Sequence, residues 1–226
     1  MKLLNKNSLW LTLDNVNQAL FNDVKTNLSE KTEIAKWISG RQGLPGSYWY
    51  MFGPTPYDFK GIKLFTGDEI TSRAGIGHIL GEEACTVLHK LNVKSSYTAL
   101  ERAEDGLTKA LKNAKNRGHD SYGWYCCGRC TAVYWRNLSA ESIDKNEKLL
   151  KAGINKLRAL RNGAGKWKRF PFYYTLYSLS EIDLPEAREE LKYTAGVCER
   201  LQRTMRKDGK YADRRFKIVE KVLNLV

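Results

Sequence analysis

The sequence lacks any apolar run near the ~20 residues a membrane-spanning helix needs. Its opening, Met1-Lys2-Leu3-Leu4-Asn5-Lys6-Asn7, is broken by polar side chains before the apolar core of an export signal can form. Cysteine is scarce and odd in number, five in 226 residues, with Cys126 and Cys127 adjacent. In a chain without an export signal that count excludes a disulfide framework, so the expectation is a reduced, cytoplasmic protein. Acidic side chains are in deficit, 25 against 38 basic ones, for a net charge of +13. The deficit is local: residues 145–226 hold 20 Lys and Arg against 10 Asp and Glu, so the last third carries +10 of the total. A field of that sign attracts nucleic acid, an anionic membrane face or a small phosphorylated or carboxylated ligand, and charge alone does not choose among them.

What the chain has in quantity is helical periodicity. With 42% hydrophobic residues it can bury a core, and the apolar positions recur at three- and four-residue steps. Tyr97, Leu100, Ala103, Leu107, Leu111 and Ala114 mark one stripe over 97–114, which Gly118 closes. Ile143, Leu150, Ile154, Leu157 and Leu160 mark another over 141–160, with Asn162-Gly163 as its left-handed stop. A third runs over 184–206, where Asp183 and Glu186 have capping-box spacing and Pro185 suits a first turn. A further helix is expected over 72–91. Between these amphipathic segments lie two without charge, Cys130-Thr-Ala-Val-Tyr-Trp135 and Phe170 to Leu179. A helix apolar around most of its circumference is buried on several sides, so these are read as inner helices and the charged ones as outer.

The joints repeat a glycine followed by an aromatic: Gly43 to Tyr48, Gly118 to Trp124, Gly163 to Trp167 and Gly209 to Tyr211. Trp124, Trp167 and Tyr211 are spaced by 43 and 44 residues, a period that marks a stacked helical-hairpin array. The reading is one all-α helical-repeat domain over 1–226, an array of antiparallel helical hairpins.

Glycine turns capped by an aromatic, with charged outer and apolar inner helices alternating, resemble the α/α toroid of terpene cyclases and protein prenyltransferases over roughly 40–215. The turn motif of those families ends in Asp-Gly-x-Trp, for which this chain has Asp208-Gly209-Lys210-Tyr211. The strings Gly40-Arg-Gln-Gly-Leu-Pro-Gly-Ser-Tyr48, Leu80-Gly-Glu-Glu-Ala-Cys85 and Lys168-Arg-Phe-Pro-Phe-Tyr-Tyr-Thr-Leu176 are similar to those of bacterial helical proteins of unassigned activity. The resemblance implies a toroid-like or incomplete ring. It implies no reaction, because neither Asp-Asp-x-x-Asp nor Asp-x-Asp-Asp occurs in the chain.

Among strings that bear chemistry, Trp124-Tyr-Cys-Cys-Gly-Arg-Cys130 stands out. Cys127-x-x-Cys130 has the spacing of a dithiol redox centre or half a zinc site, and a helix start beneath it would stabilise a thiolate. The string also resembles the Trp-Cys-Gly-x-Cys of thioredoxin-like proteins, which place it after a strand that this chain does not show. A zinc site needs further ligands, and the chain offers His119, together with His78 and Glu82 one helical turn apart. Cys127, Cys130 and His119 are the metal candidates. The plainer reading makes the cysteines small buried residues where helices approach closely.

Gly163-Ala-Gly165-Lys166 is not a phosphate loop, since Leu160 stands where its first glycine should and Trp167 where its Ser or Thr should. Basic residues interleaved with aromatics, as in Lys166-Trp167-Lys168-Arg169-Phe170, would suit phosphate contact and base stacking. The favoured expectation is a small ligand, anionic or partly apolar, in an aromatic-lined central cleft. Tyr48, Trp124, Tyr173 and Tyr174 would supply contact surface, and Arg73, His78, Arg129, Lys168 and Arg169 a basic rim. A Cys-based redox or zinc-binding protein is one alternative, and a nucleic-acid-binding helical repeat using the basic last third is the other.

Overall fold

The structure is a computed structural model that describes residues 2–116 and 122–226. The chain gathers into two compact units, Met1–Ile62 with Glu69–His119, and Lys63–Asp68 with Asp120–Val226. Both are helical, and the architecture is an all-α array of helical hairpins. The described strands are two residues each, β1 (Ile62–Lys63) and β2 (Glu69–Ile70).

The first unit holds α1 (Leu9–Phe21), α2 (Leu28–Ser39), α3 (Arg73–Leu91) and α4 (Tyr97–Asn116). α3 is buried along most of its length, with α1, α2 and α4 packed against it. α1 starts where Ser8 accepts the Leu11 N–H. The fully buried Asp58 holds that start from a distant loop. It accepts the Ser8 hydroxyl at 2.5 Å, the Leu9 N–H at 3.1 Å and the Thr55 N–H at 2.7 Å. A carboxylate at a helix N-terminus satisfies orphan donors and opposes the positive end of the dipole, so its burial is compensated.

The second unit holds α5 (Gly128–Glu141), α6 (Ile143–Arg158), α7 (Phe172–Leu179), α8 (Pro185–Thr204) and α9 (Lys210–Leu223). Here α7 is the uncharged centre, packed by α5, α8 and α9, and α5 and α6 form a hairpin across the single residue Ser142. The expected inner segments are therefore helices, and the charged segments cover them. Trp124 and Trp167 each precede an inner helix, whereas Tyr211 lies inside α9.

Two local expectations are corrected. Asp183 does not cap α8: Pro185 fixes the first turn, Leu184 is the N-cap, and Asp183 instead pairs with Arg188 at 2.6 Å. Asn162-Gly163 does not stop α6, which ends at Arg158. It forms the tip of a tight loop closed by the Arg161–Trp167 bridge. In that loop the Asn162 side chain accepts the Ala164 N–H at 2.9 Å, and the Tyr193 hydroxyl accepts the Gly163 N–H at 3.0 Å. Gly118 and His119 lie outside the described residues.

Candidate metal centre

The segment before α5 is fixed from both ends. The Gly123 carbonyl accepts the Trp135 Nε1–H at 2.9 Å, and the Tyr125 N–H donates to the Thr131 hydroxyl at 3.2 Å. Cys127 is the extended N-cap residue, and its carbonyl accepts the Thr131 N–H at 2.8 Å. Gly128 opens the helix because nothing larger fits, since a Cβ there would stand closer than 3.0 Å to the Arg169 carbonyl oxygen and the Phe170 ring. Trp124 lies edge-on to Phe170 at 5.2 Å, and Trp135 stacks on Phe170 at 5.6 Å. The aromatics here are a wall supporting the turn.

On that turn three sulfur atoms converge. Cys126 and Cys127 are exposed and Cys130 is buried, and none is in a disulfide. The Cys126 and Cys130 Sγ atoms lie within 4.8 Å of one another. The three thiols form one hydrogen-bonded group, each interacting with the other two. S–H donation from Cys126, then from Cys130, holds the Cys127 thiol well below its ordinary range, and the N–H groups of Cys130 and Arg129 favour the same negative charge. The Cys127 sulfur does not make the regular N-cap hydrogen bond, so the thiol donors are the larger influence. The donors shift the other way. Giving its proton toward Cys127 raises Cys126 to about 12, and Cys130 rises through its hydrogen bond to Cys126, then that to Cys127, with burial added.

Two sulfurs on a tetrahedral zinc stand roughly 3.8 Å apart, twice the projected Zn–S length, so an ion would draw Cys126 and Cys130 together by no more than about 1 Å. The geometry is that of ligands able to hold a soft divalent ion such as zinc. Cys126 is a candidate ligand that the sequence reading did not name, because Cys-x-x-Cys draws attention to the first and fourth residues of 127–130. A helix start brings residues i and i+4 together as well, and Cys126 stands four before Cys130.

The other candidate residues lie in several aromatic clusters. In the first unit, Tyr48 is edge-on to His78 at 4.4 Å, and Arg73 lies over Phe59 at 5.1 Å. In the second, Tyr173 has the Arg215 guanidinium over its ring at 5.1 Å and its hydroxyl near the Met205 sulfur, apart from the Trp124 cluster. Tyr174 is fully buried and takes an Arg136 N–H at 3.1 Å, a core role. Arg129, Lys168 and Arg169 have exposed side chains, and the backbone of Arg169, with φ of 64°, abuts the start of α5. No described helix is long and apolar enough to cross a membrane. No protein-family model, curated protein or solved structure matches the chain.

Proposed function

We propose that the chain is a zinc-binding protein whose ion is held by the thiolates of Cys126, Cys127 and Cys130. The observation that carries this reading is the convergence of three sulfurs on one braced helix start, two of them open to solvent, so that an ion has a path in. Thiolates select soft ions, and proton release on binding compensates for the two S–H groups that the metal-free cluster retains. The fourth position would belong to a histidine, a water or a substrate atom, and an open position is what separates a catalytic zinc from a structural one.

The test is metal analysis of protein purified without added chelator, expected to give about one zinc per chain. Cys127→Ser and Cys130→Ser should each lower zinc affinity by at least roughly tenfold, as loss of a ligand does. Cys198→Ser, at a buried cysteine on α8, should leave it unchanged. Zinc absent from the wild type, or retained by the triple Cys126, Cys127 and Cys130 variant, would end the proposal. The sequence expectation names His119 and His78 as nitrogen donors, and His119→Ala and His78→Ala examine it separately from the thiols.

A second reading, thiol–disulfide exchange, is favoured by the low-proton Cys127 sulfur beside two thiols. In the metal-free protein, Cys127 should react with iodoacetamide nearly as fast at pH 6 as at pH 8. An ordinary thiol, with a pKa of about 8.5, slows by roughly tenfold per unit as its thiolate is lost. The sign follows from the cause, because S–H donors stabilise the charged form and keep it populated as pH falls. Peptide mapping after alkylation reads the rate at each cysteine.

A further inference from the structure

A second site lies wholly among first-unit residues, where α4 meets the loop carrying Trp49 and Tyr50. These consecutive aromatics have positive φ angles, 51° and 62°, in the left-handed region that side chains other than glycine enter at a cost. Their neighbours Met51 and Phe52 are fully buried, so the loop is anchored. Yet Trp49 and Tyr50 remain 37% and 71% exposed. The anchoring could have buried the rings and instead presents them.

α4 is shaped to receive that loop. A Cβ at Gly106 would stand closer than 3.0 Å to the Trp49 carbonyl oxygen, so only glycine lets the strained backbone seat directly on the helix. The Trp49 ring stacks on His78 at 5.4 Å and 19°, which fixes its plane. Beside it opens a groove of about 650 Å³, lined on α4 by the small residues Gly106 and Ala110. Small-molecule sites run to roughly 300–1,000 Å³, so the size fits. Arg102 and Lys109 line it from the same helix face, with Asp105 between them, leaving one positive charge in excess.

We propose that this groove binds a planar aromatic ring carrying an anionic group, the ring against Tyr50 and Trp49 and the anion on Arg102 and Lys109. Gly106 and Ala110, one helical turn apart, leave room for the ring, and the rings of Tyr50 and Trp49 supply π-faces that tolerate any aromatic edge pattern. Asp105 accepts from a ring N–H or amino group, which favours heteroaromatic rings over plain benzenoid ones. The anion is a phosphate, as in a nucleoside monophosphate, or a carboxylate, as in an aromatic acid. None of the three cysteines lines the groove.

The test uses the full-length protein and equilibrium dialysis with four probes: adenosine monophosphate, indole-3-carboxylate, adenosine and inorganic phosphate. At least one of the first two should bind roughly tenfold or more tighter than adenosine and phosphate, because each of those lacks one of the two elements. Tyr50→Ala and the double variant Arg102→Ala/Lys109→Ala should each weaken that ligand by about tenfold. All three side chains are exposed, and circular dichroism should match the wild type. Adenosine monophosphate alone identifies the phosphate source, and indole-3-carboxylate alone the carboxylate source. Binding by neither, binding of phosphate alone as tightly, or binding unchanged in both variants would overturn the proposal.

Discussion

Arg136→Ala is expected to lower the free energy of unfolding by about 3–5 kcal/mol, the range found when one partner of a buried charged pair is removed. The guanidinium is fully buried in the middle of α5 and donates to three acceptors on or beside α7. Nε–H goes to Glu181 Oε2 at 2.8 Å, Nη1–H to the Tyr174 hydroxyl at 3.1 Å and Nη2–H to the Tyr177 hydroxyl at 2.9 Å. It also lies 4.2 Å from the centre of the Tyr177 ring. Truncation leaves a carboxylate and two buried hydroxyls without that donor and opens a cavity of side-chain size. Lysine should not rescue, since one ammonium cannot reproduce the planar fork. Replacing the group as a whole, with Arg136→Met, Glu181→Gln, Tyr174→Phe and Tyr177→Phe together, should recover most of the loss. Urea denaturation followed by far-ultraviolet circular dichroism measures all three, and a single Ala variant within 1 kcal/mol of wild type would contradict the account.

Buried polar residues like Arg136 also mark where the interior was hardest to read in sequence. Over 141–160 and 184–206 the buried face is mostly apolar, with Asn146, Glu190 and Thr194 as its polar members, so the period still appears in residue type. Arg136 itself is fully buried yet charged, and it sits just beyond the uncharged run that marks α5. In α1 the buried positions include Thr12, Asp14 and Asn17, which interrupts the apolar period. Asn17 is buried because its amide donates to Glu83 on α3 at 2.9 Å, a partner 66 residues away. In α9 the buried face includes Arg214, whose Nη1–H reaches the Phe65 carbonyl at 3.0 Å. A polar residue can be interior only when a remote partner satisfies it, and a single sequence does not display remote partners.

The site divides in the same way. Cys127 and Cys130 were legible because their spacing is local and helix starts bring such pairs together. Cys126 was harder to find because its contribution depends on where the extended N-cap turns, which is set by Gly128 meeting the Arg169 carbonyl 41 residues on. The 43- and 44-residue repeat of aromatics located the joints before α5 and α7, but their rings brace the turns rather than form one shared surface in the second unit. Tyr174 shows the limit of composition: an aromatic with a polar handle serves equally as ligand surface or as acceptor for a buried arginine, and only its neighbours decide.

Two glycine-to-alanine changes in the second unit should have opposite signs. Gly153 lies in α6, where a Cβ would stand closer than 3.0 Å to the Gly123 carbonyl oxygen and 2.5 Å from Trp135 Nε1. Gly123, at φ of 69°, is pressed on the same spot, and its carbonyl is the acceptor for that Trp135 N–H. All three obstacles are backbone or a ring fixed by its hydrogen bond, so none can swing aside. Gly153→Ala is therefore expected at the upper end of overpacking, about 3 kcal/mol destabilising. Because the displaced turn runs directly into Cys126, zinc affinity should fall with it, which an equal loss of stability elsewhere would not produce. Gly196 is the counterpart, an interior position of α8 with no atom within 4 Å of where a Cβ would stand. There alanine only removes the helix cost of glycine, so Gly196→Ala should stabilise by about 0.5–1 kcal/mol. Thermal melts of the two variants should move in opposite directions from the wild type, and a Gly153→Ala variant as stable as the wild type would mean that α6 does not press on the Gly123 turn as described.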